Sequence, residues 1–141
     1  MVAAIDCSGK LHGLTLNDRS IKAPEFMNFL DSCNETNGEV PTTMFLDNLR
    51  MHHQKVVKAR ATEHCIDMRY NAAYSPNFNP IEGLWAYAKN QFNRHMINER
   101  NFKDRALLYR LVRESIETVP QTYLRNRVRM SIALMRQKLT V

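Results

Sequence analysis

Tyr74-Ser75-Pro76-Asn77-Phe78-Asn79-Pro80-Ile81-Glu82-Gly83-Leu84-Trp85 is the sharpest punctuation in the sequence. Its two prolines each remove a backbone donor and push the preceding residue into an extended conformation. Residues 74–80 therefore read as a rigid loop, neither helix nor central strand. A helix starts where the loop ends. Asn79 is an N-cap residue type, Pro80 suits the first helical position, and Glu82 follows at capping-box spacing. The helix is predicted to run to about Met96. Ile81, Leu84, Trp85, Ala88 and Phe92 recur on one face, which belongs in a core, with Trp85 as a packing anchor. Glu82 and Lys89 lie seven residues apart, two helical turns, and project the same way.

Upstream, Val2–Cys7 and Leu11–Leu16 read as two short strands joined by the turn residues Ser8-Gly9-Lys10, a hairpin. Ser20 to Asn37 reads as a helix with Pro24 in its first turn and Phe26, Phe29, Leu30 and Cys33 on one face. Thr42–Asp47 is a buried-strand pattern that ends on a carboxylate. His53–His64 is helical, and Cys65–Tyr70 is a further strand. Downstream, Phe102–Val119 and Tyr123–Leu139 are helical patterns separated by Pro120. The order β-β-α-β-α-β-α-α-α predicts an α/β protein, a mixed sheet with helices on its faces. Chemistry in such sheets gathers at the carboxyl ends of parallel strands, where Asp47 stands.

The chain has 141 residues, 44% hydrophobic and 24% charged. That composition suits one domain with a helical arm and excludes a disordered tail. No apolar run reaches the roughly 20 residues of a membrane span, and the N-terminal residues lack a signal-peptide pattern. The expectation is a soluble intracellular protein, nuclear in a eukaryote and cytoplasmic in a bacterium. Cys7, Cys33 and Cys65 are odd in number and in no metal-ligand spacing, so they are expected as small buried side chains. The net charge of +6 is unevenly spread. Residues 1–82 carry 8 basic and 10 acidic side chains, residues 83–141 carry 12 and 4. A basic C-terminal part points toward a polyanionic partner, although a basic face can also be merely solvated.

Two carboxylates stand out by context. Asp47 closes an apolar strand and is followed by Asn48 and, five residues on, by His52. Glu82 opens the helix beside the proline loop, with 34 residues between the two acids. Carboxylates from different elements can gather around Mg²⁺ or Mn²⁺, hard cations whose shells phosphate oxygens complete. Each acid also has a structural reading. Asp47 could cap the following turn, and Glu82 could complement the helix dipole and reach back to the Asn79 amide.

Phe45-Leu46-Asp47-Asn48-Leu49-Arg50-Met51-His52-His53, with the stretch from Tyr74 to Trp85 and Lys89, resembles the mariner-type transposase superfamily and its bacterial insertion-sequence relatives. The resemblance covers about residues 1–96. It implies a ribonuclease-H-like fold and an Asp-Asp-Glu site that holds Mg²⁺ or Mn²⁺, commonly with 34 residues between the last two acids. Carried over, Asp47 matches the second catalytic aspartate and Glu82 the glutamate, both as catalytic metal ligands. Asn48, His52 and Lys89 match polar positions that would meet DNA. His52 could equally organise the site, and Lys89 could simply be solvated.

The first aspartate of that triad has no counterpart. In the family it lies on a first strand, central in the sheet, that precedes the hairpin. Here the chain reads as beginning one strand late, which would leave two sheet halves with unpaired edges. Asp6 is a poor substitute, since it belongs to the turn side of the hairpin. Residues 1–98 are thus expected as a partial DDE catalytic domain and residues 99–141 as a basic helical extension. The resemblance implies DNA cleavage and strand transfer in transposition and integration, with transposon ends and target DNA as partners, possible homo-oligomers and no membrane. The alternative is a catalytically inactive remnant that binds DNA or dimerises. In the tail, Arg125, Arg127 and Arg129 would be spread around a helix, and Tyr109, Leu111, Val112, Ile116, Ile132 and Leu139 would pack on the core or a partner.

Overall fold

The computed structural model describes residues 1–72, 75–98 and 103–139. Strands β1 (Val2–Ile5) and β2 (Leu11–Thr15) form an antiparallel hairpin. Helix α1 (Ala23–Thr36) follows, then β3 (Thr42–Leu46), a 3-10 turn over Arg50–His53, and helix α2 (Lys55–Glu63). Strand β4 (Ile66–Tyr70) pairs in parallel with β3, Thr42 beside Ile66 and Leu46 beside Tyr70. A 3-10 turn at Pro76–Phe78 leads to α3 (Ile81–Asn98), α4 (Arg105–Glu117) and α5 (Gln121–Leu139). Every predicted element is present within a few residues of its expected ends. Tyr74 and Phe102 lie outside the described residues, as does the Leu139 side chain.

Each element follows from local chemistry. The Asp6 carboxylate closes the hairpin turn. It accepts from the amides of Ser8 and Lys10 (2.8 and 2.9 Å), from Ser8 Oγ (2.7 Å) and from His12 Nε2 (2.8 Å). Burial alone would push the Asp6 carboxyl up, but the hydrogen bonds from His12, Ser8 and Lys10 outweigh it and hold it at about 2. Asp6 is a turn-building residue, as its position suggested. Pro24 sits in the first turn of α1, and the Lys22 amide donates to Glu25 Oε2 at 3.1 Å. Asp104 caps α4 by accepting from the Leu107 amide at 3.1 Å.

Two cores lie on opposite faces of the hairpin. One gathers Phe26, Phe29 and Leu30 of α1, Val57 and Ala61 of α2, Leu46 and Ile66, with Val2 and Ala4 packed against it. The other gathers Leu84 and Ala88 of α3, Ile116, Val119 and Leu124, with Ala3, Ile5, Leu11 and Leu14 against it. Alternate residues of β1 therefore serve opposite layers, as the period of two requires. The basic tail is built into this second layer. Gly9 (φ +83) lets the hairpin turn touch α5, where an added Cβ would stand 2.4 Å from the Gln121 carbonyl oxygen.

The strands do not form one sheet. Among the described residues β1 pairs with β2 and β3 with β4, in two separate two-stranded sheets. The unpaired edges expected from the sequence are therefore present. Two other expectations need correcting. Only Cys33 is buried, and burial pushes its thiol up to about 12. Cys7 and Cys65 are exposed, Cys7 in the hairpin turn and Cys65 at φ 52 between α2 and β4, where the tight connection turns the side chain outward. Trp85, expected as a packing anchor, does pack against the second core, and its half-buried ring also lines a cleft. The capping box at α3 does not close. Asn79 Oδ1 accepts from the Ile81 amide at 3.3 Å, while the Glu82 carboxylate has no hydrogen-bond or ion-pair partner among the described residues. Among those residues no helix is long and apolar enough to cross a membrane.

Candidate active site

Asp47 stands immediately after β3, half its side chain exposed. Beneath it lies His52, buried at 5% exposure, which the following 3-10 turn brings back under the strand end. His52 Nδ1 donates to the Asp47 main-chain oxygen at 3.1 Å and stands 3.0 Å from the carboxylate Oδ1. The other side of the ring packs on Phe26, with centroids 4.5 Å apart. A ring locked by packing fixes the backbone at Asp47 and sets its N–H edge beside the carboxylate.

The next layer of contacts comes from the end of β4. Tyr70 Oη donates to the His52 carbonyl at 3.2 Å, and the Tyr70 ring stacks on His53 at 4.2 Å. Burial pushes the Tyr70 phenol up, so it remains a donor. His53 Nε2 in turn donates to Asn48 Oδ1 at 2.6 Å. Asn48 is exposed but engaged, and it braces the turn after Asp47.

Asn71 couples this strand end to the proline loop. It is buried. Its amide donates to the Leu46 carbonyl at 2.7 Å, extending the β3–β4 ladder, and its side-chain Nδ2 donates to the Ser75 carbonyl at 2.6 Å. The loop is thereby tied to the residue that precedes Asp47. Asp47 and the start of α3, Asn79 to Ile81, border one cleft of about 1050 Å³. Glu82 is exposed on the first turn of α3 and does not itself line that cleft. Lys89 is exposed further along α3.

Arg127 was expected only as one of three dispersed tail arginines. It lies against α3 at Gly83, where an added Cβ would meet its Cγ and Nε at 2.8 Å. Its Nε is buried without a partner among the described residues, while Arg125 and Arg129 are exposed. A glycine inside the first turn of an otherwise good helix was the available signal for this close approach. Tyr70 and Asn71 carried no comparable signal, because their roles depend on the pairing of β4 with β3.

Asp47 and Glu82 offer hard oxygen donors from separate elements, and Glu82 has no partner among the described residues. Among the described residues, however, no group of three His, Cys, Asp or Glu side chains stands together as a metal site. Neither Asp47 nor Glu82 belongs to such a group there.

The arrangement of hairpin, parallel pair and helices on both faces is that of a ribonuclease-H-like α/β domain, here with its sheet in two halves. The sequence model of a family described as DDE superfamily endonuclease matches residues 1–108, and the chain belongs to that family. A search of curated proteins returns no match. Endonucleases of this superfamily use divalent metal ions in their reaction.

Proposed function

We propose that this chain is part of the catalytic domain of a mariner-type DDE transposase, whose complete form cuts and joins DNA with Mg²⁺ or Mn²⁺. The observation that carries the reading is the shared cleft between the end of β3, with Asp47, and the loop and helix start that lead to Glu82. In this reading Asp47 and Glu82 are two of three metal-binding carboxylates. Bound divalent ions would supply activation of the attacking oxygen and relief of charge on the leaving one. The chain's own residues do the positioning. His52 orients Asp47, Asn71 ties the proline loop to β3, and Lys89 meets backbone phosphate on the same side as Glu82.

A second reading is supported by the donor set itself. With two carboxylates in place of three, the 141-residue chain binds DNA or a second copy without cutting. Exposed Arg125, Arg129, Arg136 and Lys138 on α5 favour sequence-tolerant attachment to phosphates. One experiment separates the two. An aspartate-bearing strand is joined upstream of residue 1, and DNA nicking is followed with Mg²⁺ or Mn²⁺. The first reading expects nicking that Asp47→Ala and Glu82→Ala each abolish. Salt-sensitive DNA binding without nicking, whatever is added upstream, would leave only the second.

A further inference from the structure

The proline loop is gripped from two elements. From the end of β4, the buried Asn71 side chain donates to the Ser75 carbonyl at 2.6 Å. The second grip comes from α5, which packs against both the 3-10 turn Pro76–Phe78 and α3. The Lys138 ammonium stands over the half-buried Phe78 ring, 5.1 Å from its centroid, within the range of an attractive cation–ring contact.

Spacing along α5 explains this second grip. Arg127 and Lys138 are 11 residues apart, close to three whole helical turns, so they leave the helix on the same side. Arg127 meets the first turn of α3 at Gly83, and Lys138 meets the loop at Phe78. Ser131 and Met135 come between them in the chain and border one cleft with Asn79, Pro80 and Ile81. One side of α5 therefore runs beside Phe78–Gly83, the segment that carries Glu82. Arg125 and Arg129, two residues to either side of Arg127, leave the helix on the opposite side and are exposed.

We infer that α5 is a splint for the glutamate: Lys138 at the loop and Arg127 at the first turn of α3 are positioning residues that hold Phe78–Gly83, and Glu82 with it, in one place. The segment has few fastenings of its own. Pro76 and Pro80 offer no amide, and the 3-10 turn is held by the short-range bonds Phe78 to Ser75 and Asn79 to Pro76. The capping box that would brace Glu82 is open. A cation over the ring is a low-cost brace, because the ammonium keeps its outer side in water while its stem and inner side cover Phe78. The role given to Glu82 rests on the transposase reading, whereas the splint itself does not. Its test uses neither metal nor DNA, so the splint can fail while that reading stands, and the reverse.

Amide hydrogen exchange of the 141-residue protein reads the splint directly. The amides of Phe78, Asn79 and Glu82, which donate to the carbonyls of Ser75, Pro76 and Asn79, report the segment. The Thr42 amide, which donates to the Cys65 carbonyl, is the reference. Lys138→Met keeps the length of the side chain and removes its charge. It is expected to speed exchange at the three reporters about two- to fivefold, the span of an exposed cation–ring contact, and to leave Thr42 unchanged. Lys138→Arg is expected to restore the native rates. In a Phe78→Leu background, Lys138→Met is expected to add nothing. Arg127→Ala, at the other grip, is expected to speed Glu82 more than Phe78. Native rates in Lys138→Met overturn the proposal, as does a failure of Lys138→Arg to restore them or a full further effect of Lys138→Met without the Phe78 ring. Faster exchange at Phe78 and Asn79 with Glu82 unmoved also overturns it, because the loop would then move without the glutamate. So does an Arg127→Ala effect that is larger at Phe78 than at Glu82.

Discussion

The hairpin and the parallel strand pair are built from similar residues but are covered differently. Both faces of the hairpin are packed. Val2 and Ala4 lie against the α1–α2 core, and Ala3, Ile5, Leu11 and Leu14 against the α3–α5 core. The parallel pair is packed on one face only, through Met44, Leu46, Ile66, Met68 and Tyr70. Parallel strands ordinarily have both faces covered. On β4 the open face suits water, since it carries the Asp67–Arg69 ion pair at 2.8 Å. On β3 it carries Thr43 and Phe45, with Phe45 39% exposed. An open face lined by an aromatic ring, next to an unpaired edge, is a surface shaped for cover.

That asymmetry should appear directly in stability. Phe26→Ala removes a fully buried ring shared by the first core and the His52 contact, and should cost about 3–5 kcal/mol in urea unfolding. Phe45→Ala should cost less, about 1–2 kcal/mol, because the residue is already 39% exposed and stands outside the packed core. Comparable losses at the two positions would mean that the open face of β3 is covered after all.

Glycine substitutions test the contact between the hairpin and the tail layer. Gly9→Ala places a methyl group 2.4 Å from the Gln121 carbonyl oxygen at a left-handed backbone, and about 3 kcal/mol of destabilisation is expected. Gly38 has a similar φ of +69 but nothing within 4 Å, so Gly38→Ala should cost only about 1 kcal/mol. Thermal unfolding of the pair separates steric approach from backbone strain. Equal shifts would place the hairpin turn away from α5.

Much of this was readable in the sequence, for identifiable reasons. The strands and helices follow from apolar periodicity and from Pro24, Pro80 and Pro120, which are local signals. Asp47 and Glu82 were picked out because a strand end and a helix start are marked by the residues around them. The split sheet followed from the resemblance, which implies a central strand before the hairpin that these residues do not contain. What escaped was set by pairing at a distance. The Asn71 tether exists only because β4 lies beside β3, and the inward turn of Arg127 exists only because α5 crosses α3 at Gly83. The open capping box at Glu82 also went unseen, since the residue types permit closure and only the one-residue delay of α3 prevents it.

The layer beneath Asp47 makes a smaller prediction. Tyr70→Phe removes the hydrogen bond to the His52 carbonyl while keeping the ring stacked on His53, and should cost about 1 kcal/mol. The loss should appear as faster hydrogen exchange in the 3-10 turn Arg50–His53. If exchange there is unchanged, the turn under Asp47 is held by His52 and Phe26 alone.

The hairpin turn supplies the smallest effect and the one with a defined pH window. The Asp6 carboxyl, ordinarily near 3.8, is held at about 2 in the folded chain by bonds from His12, Ser8 and Lys10 that outweigh its partial burial. A depressed acid favours the folded state when ionised, so its contribution is fully present above pH 3.8. It fades as pH falls from 3.8 toward 2, where the folded-state carboxyl also takes its proton. Because the side chain is 38% exposed, water screens much of the effect, and the contribution should be modest. Asp6→Asn removes the charge and keeps the shape. Its stability deficit relative to the native chain should be constant from pH 7 to about 5 and should shrink progressively below 3.8. The acid sensitivity belongs to the hairpin, whose turn is tied to α5 through Gln121 Nε2 and the Ser8 carbonyl at 3.3 Å, and not to the parallel pair. Hydrogen exchange at pH 3 should therefore open β1 and β2 before β3 and β4. Simultaneous opening of both sheets, or a deficit that persists undiminished to pH 2, would show that the two halves answer to acid as one unit.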